Sequence, residues 1–403
     1  MNKARTARAV IGAGYGDEGK GLMTDCLAAQ GGDVVVRTNG GTQAGHTVID
    51  PAGRRHVFHH FGSGSLAGVP THLSRHFVLH PLLFASEMET LASINACVRT
   101  SVDPRALVTT PWDMMLNQFV EMRRGSARHG SCGVGFGETI ERSLVPELAL
   151  SFGDLASAKY LRPALEKIRL QWVPQRLAAL GGGILGRQEI ELVMNDAVLD
   201  RYLQDCEAMA ASLSVLADAD LSGHVIFEGA QGLMLDQDFG AFPYVTRSNT
   251  GLVNMAAVAA EAGIETIETS YTTRAYVTRH GAGPMAHEGE SMAAFSILDP
   301  TNIENPWQGR LRAAPLDTNI LKNAIENDIR RSEGKVHIVP KLVVTCLDQI
   351  KGEAPLFVDG RRIHLAESDL AAVAAQNIGI DLAAISYGPS RKSIKCLQKQ
   401  IKA

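Results

Sequence analysis

The sequence predicts an α/β protein: one large, mostly parallel β-sheet flanked by helices, with a P-loop-like first βα turn. Three observations carry that prediction. β-branched runs recur and end in glycine, aspartate or a polar cluster, helical stretches separate them, and the first run leads directly into G-x-x-x-x-G-K. The 403 residues, 45% hydrophobic, can bury a large core. With no internal repeat, low-complexity tract or convincing linker, residues 1–403 read as a single domain with helical insertions.

Taken in order, "RAVIGAG" (8–14) is a short strand ended by glycines, "KGLMTDCLAAQ" (20–30) a helix, and "DVVVRTNGG" (33–41) a second strand. Together they form a βαβ unit with a glycine-rich first turn. Later strands are expected at "HVIFEGAQG" (224–232), "ETSYTTRAYVTR" (268–279), "KLVVTCLD" (341–348) and "LAAISYGPS" (382–390). Helices over 154–180 and 197–219 are expected to form a covering layer. Open parallel sheets bind ligands beyond the carboxyl ends of their strands, so the polar clusters ending these runs are where chemistry is sought.

Charge and cysteine usage narrow the function classes. A net charge of −4, with both signs scattered along the chain, provides no basic field for nucleic acid and no polybasic surface for membranes. No apolar run reaches the roughly 20 residues of a membrane span. Six cysteines lie far apart with no C-x-x-C pair and no leader-like start, so reduced thiols in the cytoplasm are expected.

The loop "GYGDEGKG" (14–21) raises the sharpest question. Gly14, Gly19 and Lys20 are in P-loop register, and such a loop turns backbone N–H groups and a lysine on phosphate oxygens. Yet Gly21 stands where a metal-binding hydroxyl is expected, and Asp17 and Glu18 bring carboxylates into the loop. An acid facing phosphates is repelled unless a cation or a reacting proton lies between them, which points to chemistry beyond simple hydrolysis.

Other constellations have two readings each. His46 in "GGTQAGHTV" is a satisfied loop histidine or a donor to a transferring phosphoryl group. Glu228 and Gln231 end a strand, where an amide can read a polar ring. Arg310 and Arg312 are a solvated pair or, on an extended segment, two guanidiniums aimed at a dicarboxylate or phosphate. Asp348 caps a turn or accepts the N1 and N2 hydrogens of guanine. His59 and His60 have no ligand at metal spacing and read as packing residues.

Six blocks in this order, "GAGYGDEGKG", "VVVRTNGGTQAGHTV", "FEGAQGLMLDQDFGAFPYVTRSN", "RAYVTRHGAGP", "GRLRAAPLD" and "ISYGP", resemble adenylosuccinate synthetase along nearly the whole chain. The resemblance implies a Mg²⁺-dependent ligase that makes adenylosuccinate from IMP, L-aspartate and GTP, and a homodimer. It implies that Asp17 takes the purine N1 proton while O6 attacks the γ-phosphate, and that His46, Lys20 and Gln231 complete the catalytic set. Gly16, Glu18, Gly19, Lys20, Gly21, Gly45, Thr47, Asp348, Ser386 and Gly388 would bind GTP, the last three reading guanine. Gln43, Ser131, Gln231, Thr246 and Arg310, with Asp17, would hold the purine substrate. Arg310 and Arg312 would bind aspartate, and Asp17 and the Gly45 carbonyl would be the protein's ligands to Mg²⁺.

Departures from the family pattern fall around the substrates. Tyr15 replaces a tryptophan, Gln43 an asparagine, Cys346 a lysine of the guanine site, and Trp307-Gln308 a Thr-Thr pair. In "GSCGVGFGETIER", Glu138 and Thr139 replace Pro-Ala, and Arg142 is the candidate for an arginine the family supplies from the partner subunit. Beside the IMP reading stand a 2-aminoadenylosuccinate synthetase using GMP or dGMP with ATP or GTP, and a non-catalytic nucleotide-binding paralogue.

Overall fold

The computed structural model describes residues 5–125, 128–181, 183–302 and 309–397, so Trp307 and Gln308 lie outside the described residues. Ten strands form the main sheet. In chain order they are β1 (Thr6–Gly12), β2 (Val34–Arg37), β3 (Thr71–Leu73), β4 (Thr100–Val102), β5 (Ser214–Val215), β6 (Val225–Gly232), β7 (Thr266–Arg274), β8 (His337–Thr345), β9 (Asp381–Ser386) and β10 (Ile394–Cys396). Their spatial order is β10-β9-β8-β7-β1-β6-β2-β3-β4-β5. Every pairing is parallel except the last hairpin, β9 with β10.

The central strands are buried on both faces, which suits their content of β-branched and aromatic residues. Val10, Ile11, Phe227, Ile267 and Leu342 are fully enclosed. β1 lies between β6 and β7, so its carboxyl end opens at the middle of the sheet. Helix α1 (Lys20–Ala29) starts there, with Met23 and Leu27 packed against Val10, Val35 and Ile226.

Two expectations are corrected. The run 268–279 is two strands: β7 ends at Arg274, and Tyr276–Arg279 turns into a second sheet with Arg312–Asp317, Glu353–Val358 and Arg361–Ala366. The stretch 154–180 breaks into a 3₁₀ segment, the helix Ala158–Lys167, a π-helical turn at Ile168–Trp172 and the helix Val173–Ala179. Pro163 and Pro174 each remove a backbone donor, which disfavours one continuous ladder. These helices and Asp196–Ser212 do not cover the sheet centre. They enclose a second core around Trp112, Leu116, Leu165 and Leu199 near the β3–β4 edge.

Candidate active site

The loop between β1 and α1 is fixed from three strands. The guanidinium of Arg274, at the end of β7, donates to the Asp17 carbonyl, and the Thr345 hydroxyl, at the end of β8, donates to the Glu18 carbonyl at 3.0 Å. The end of β6 presses on the loop from the other side. A Cβ at Gly232 would lie 2.2 Å from the Gly14 carbonyl oxygen, so only glycine permits that approach. Asp17 and Gln231 both take positive φ, 57° and 66°, a costly conformation for non-glycine residues that the surrounding contacts hold in place.

Glu18 supplies a result not legible in the loop's spacing. Its buried carboxylate accepts the N–H groups of Gly14 at 2.9 Å and Gly16 at 3.0 Å, and lies 3.5 Å from the Lys20 ammonium. The loop's own acid therefore sits where its N–H groups converge. Burial lifts this carboxyl to about 7, while Lys20 and the two N–H groups pull it down. The Asp17 side chain, in contrast, makes no hydrogen bond among the described residues.

His46 opens the strand His46–Ile49, which lies against α1. A Cβ at Gly21 would be 3.0 Å from the His46 Cβ and 3.1 Å from both the Ser63 hydroxyl and the Thr47 carbonyl. The missing hydroxyl has a steric cause. The His46 Nδ1 lies 2.7 Å from Glu228, whose carboxylate also accepts the backbone N–H of Ser63 at 3.0 Å and its hydroxyl. Burial lowers the imidazole to about 4. Burial would lift Glu228, but His46, Arg37 and Ser63 outweigh it and hold the carboxyl at about 2. Glu228 therefore receives Nδ1–H and leaves Nε2 free.

The purine-side candidates come from separate elements. The buried amide of Gln43 has neither its oxygen nor its nitrogen partnered among the described residues, which leaves both able to meet a ligand. Ser131 accepts from the Asn117 amide at 2.8 Å, and the Thr246 N–H donates to the Leu235 carbonyl at 2.9 Å. Arg312 opens its strand and folds onto the loop 281–288, donating to the carbonyls of Gly281 and Gly283 and pairing with Glu288 at 2.6 Å. Arg310 precedes that strand and is exposed, so the two arginines are not one rigid fork.

The remaining nucleotide candidates line the outer sheet ends. Ser386 closes β9 and donates to the Gly388 carbonyl at 2.8 Å, while Asp348 is exposed in the turn after β8. Gly45 is exposed and Thr47 meets the Thr301 hydroxyl at 2.9 Å. His59 bonds the Ala44 carbonyl and His60 lies on Glu87, both packing roles as expected.

Arg142 is corrected outright. It is fully buried, paired with Asp113 at 2.9 Å and donating to the Leu148 and Val108 carbonyls, so it cannot reach a partner's site. Among the described residues no group of three or more His, Cys, Asp or Glu could hold a metal. Protein ligands to a cation would have to be few and of oxygen, with phosphates completing the shell, the habit of Mg²⁺.

Comparison with known proteins places this geometry. The adenylosuccinate synthetase family model matches residues 9–333. The chain belongs to the adenylosuccinate synthetase family. The adenylosuccinate synthetase of Oleidesulfovibrio alaskensis is 34% identical over 328 residues, 78% of this chain and 74% of that protein. That of Picrophilus torridus is 31% identical over 362 residues, 87% and 80% of the two chains. The fully ligated Plasmodium falciparum enzyme superposes with a TM-score of 0.71 at 17% identity, covering 98% of this chain and 100% of that one. The succinoaminodeoxyadenylate synthetase of cyanophage S-2L, bound to dGMP and dATP, gives 0.59 at 16% identity, covering 98% and 97%. The large, mostly parallel sheet is the family fold, and the chain is a nucleotide-dependent ligase of that family. No helix among the described residues is long and apolar enough to cross a membrane.

Proposed function

We propose that this chain joins L-aspartate to C6 of IMP at the expense of GTP, as one catalytic domain in a cytoplasmic homodimer. The observation that carries the reading is the loop itself. One tightly pinned segment holds a lysine, an acid seated on its converging N–H groups and, at Asp17, a carboxylate that makes no hydrogen bond among the described residues, with the His46–Glu228 pair packed on its helix.

On this reading Asp17 removes the N1 proton and O6 attacks the γ-phosphorus, forming the O6–P bond as GDP leaves. Lys20 neutralises the phosphate charge, and His46, held through Nδ1 by Glu228, donates from Nε2 to the phosphoryl oxygens as the imidazolium, the form that Glu228 and the incoming phosphate charge favour against burial. The amine of aspartate then attacks C6 and phosphate leaves. Arg312 exchanges Glu288 for a substrate carboxylate, with Arg310 beside it, and Gln43, Ser131, Gln231 and Thr246 hold the nucleotide. Gly16, Glu18, Gly19, Gly21 and Thr47 surround the GTP phosphates, and Asp348, Ser386 and Gly388 read its base. Asp17 and the Gly45 carbonyl would hold Mg²⁺, which would supply charge neutralisation of the phosphates.

A second reading takes GMP or dGMP as substrate with ATP or GTP as donor; Cys346, a half-buried thiol where the family has a lysine of the guanine site, bears on the donor base, while Asp17 favours IMP as substrate. The test is phosphate and succinyl-purine release from each pairing of IMP, GMP or dGMP with GTP or ATP. Asp17→Asn should lower turnover by about 10²–10⁴. An Asn variant working at the wild-type rate would remove Asp17 as the base, and nucleotide binding without any turnover would leave a non-catalytic paralogue.

A further inference from the structure

Two thiols far apart in the chain meet where β10 passes α1. Cys26 lies on α1 between Met23 and Leu27 and is buried, while Cys396 ends β10 and is exposed. Gln30, which caps α1, donates from one side-chain nitrogen to both sulfurs, at 3.3 Å to Cys26 and 3.5 Å to Cys396. The sulfurs are therefore no farther apart than two such contacts span. Burial pushes the Cys26 thiol up to about 12, and the neighbouring Cys396 thiol adds to that shift.

The approach is built into the fold. β10 pairs with β9, with Ile394 opposite Ser386 and Cys396 opposite Ala384. Ile394 packs into the cluster of Met23 and Leu27, and Cys396, two residues further along the strand, projects from the same face, toward α1. Before β10, Arg391 pairs with the buried Asp25 of α1, and the Lys392 ammonium donates to the Pro51 carbonyl at 3.0 Å. After it, the Leu397 N–H donates to the Ala383 carbonyl at 2.8 Å. Cys396 is thus held over Cys26 from both sides. A buried cysteine alone is a small apolar filler; an accessible thiol set against a buried one is the arrangement of an attacking and a resolving sulfur.

We propose that Cys26 and Cys396 form a thiol modification site that closes to a disulfide on reaction with a small-molecule disulfide such as oxidised glutathione. Cys396, the accessible sulfur, reacts first: its thiolate attacks one sulfur of the small disulfide, that S–S bond breaks, and one thiol leaves. Cys26 then gives up its proton and attacks the Cys396 sulfur, the mixed S–S bond breaks, and the second thiol leaves. The cysteine pair is oxidised by two electrons and loses two protons, and the small disulfide is reduced to two thiols. Burial keeps the Cys26 thiolate scarce, so the second step is the slow one. The new bond joins the helix that begins at Lys20 to the hairpin that carries Ser386.

The experiment incubates the full reduced chain with oxidised glutathione, quenches it in acid and maps its peptides by mass spectrometry. The Cys26 and Cys396 peptides should appear linked to each other and free of glutathione, and dithiothreitol should separate them. Exposed Cys97 serves as the control and should keep its glutathione adduct. Cys26→Ser should stop at an adduct on Cys396, and Cys396→Ser should leave Cys26 unmodified. A wild type that ends with glutathione on Cys396 and Cys26 free would overturn the inference, as would a link from either residue to Cys97 or no reaction at Cys396. Should a serine variant not fold, the alanine variant replaces it, and the wild-type peptide map decides on its own.

Discussion

Replacing Glu18 by glutamine should make the ligand-free protein more stable at neutral pH, and by an amount that depends on pH. The carboxylate is buried, and burial lifts its pKa from 4.5 to about 7 despite Lys20 and two N–H donors. Below pH 4.5 both folded and unfolded chains carry the proton and the group contributes almost nothing. Between pH 4.5 and 7 the folded state binds more protons than the unfolded one, so stability falls as pH rises, and it levels off above 7. At roughly 1.4 kcal/mol per pKa unit, the cost approaches about 3 kcal/mol, most of which develops between pH 5 and 8. Glutamine keeps an oxygen for the Gly14 and Gly16 N–H groups but has no charge to desolvate. Urea unfolding of both proteins at pH 5 and pH 8, without nucleotide or Mg²⁺, gives the comparison. Variant minus wild type should grow by roughly 2–3 kcal/mol toward pH 8. A difference equal at the two pH values would refute a buried, strained carboxylate at this position.

Two further outcomes follow from the described contacts. Glu228→Gln keeps the shape but loses the charge that orients His46, so kcat should fall by about 10²–10⁴ while KM for GTP changes little; an unaffected kcat would assign His46 to packing. Arg142→Ala strands Asp113 in the interior and should cost about 3–5 kcal/mol in denaturant unfolding, whereas unaltered stability would restore Arg142 as the candidate for the arginine supplied to the partner subunit.

The parts of the site that share a short stretch of chain were legible before the fold was known. The β-branched run, the glycines and Lys20 place the loop, because its backbone geometry is written in neighbouring residues. The pins were not legible: Arg274 reaches Asp17 and Thr345 reaches Glu18 only because β7 and β8 end at the same level of the sheet as β1. Glu18 was expected beside phosphates, and its occupation of the loop's own N–H groups depends on a curvature that spacing does not encode. The strand break at Ala275 was hidden for a different reason. Both halves of 268–279 carry β-branched and aromatic residues, so composition could not show that they enter different sheets. Arg142 was misplaced because a charged residue in a polar stretch reads as exposed until its buried partner, Asp113, is known.

Gly21 has a consequence for how such a loop can change. Its bare Cα is the floor on which His46 rests. A serine there would not simply give back the hydroxyl of an ordinary nucleotide-hydrolysing loop; it would push against the imidazole, the Ser63 hydroxyl and the Thr47 carbonyl together. A side chain at this position therefore bears directly on the placement of His46, so that the loop's metal-binding hydroxyl and its imidazole compete for the same space.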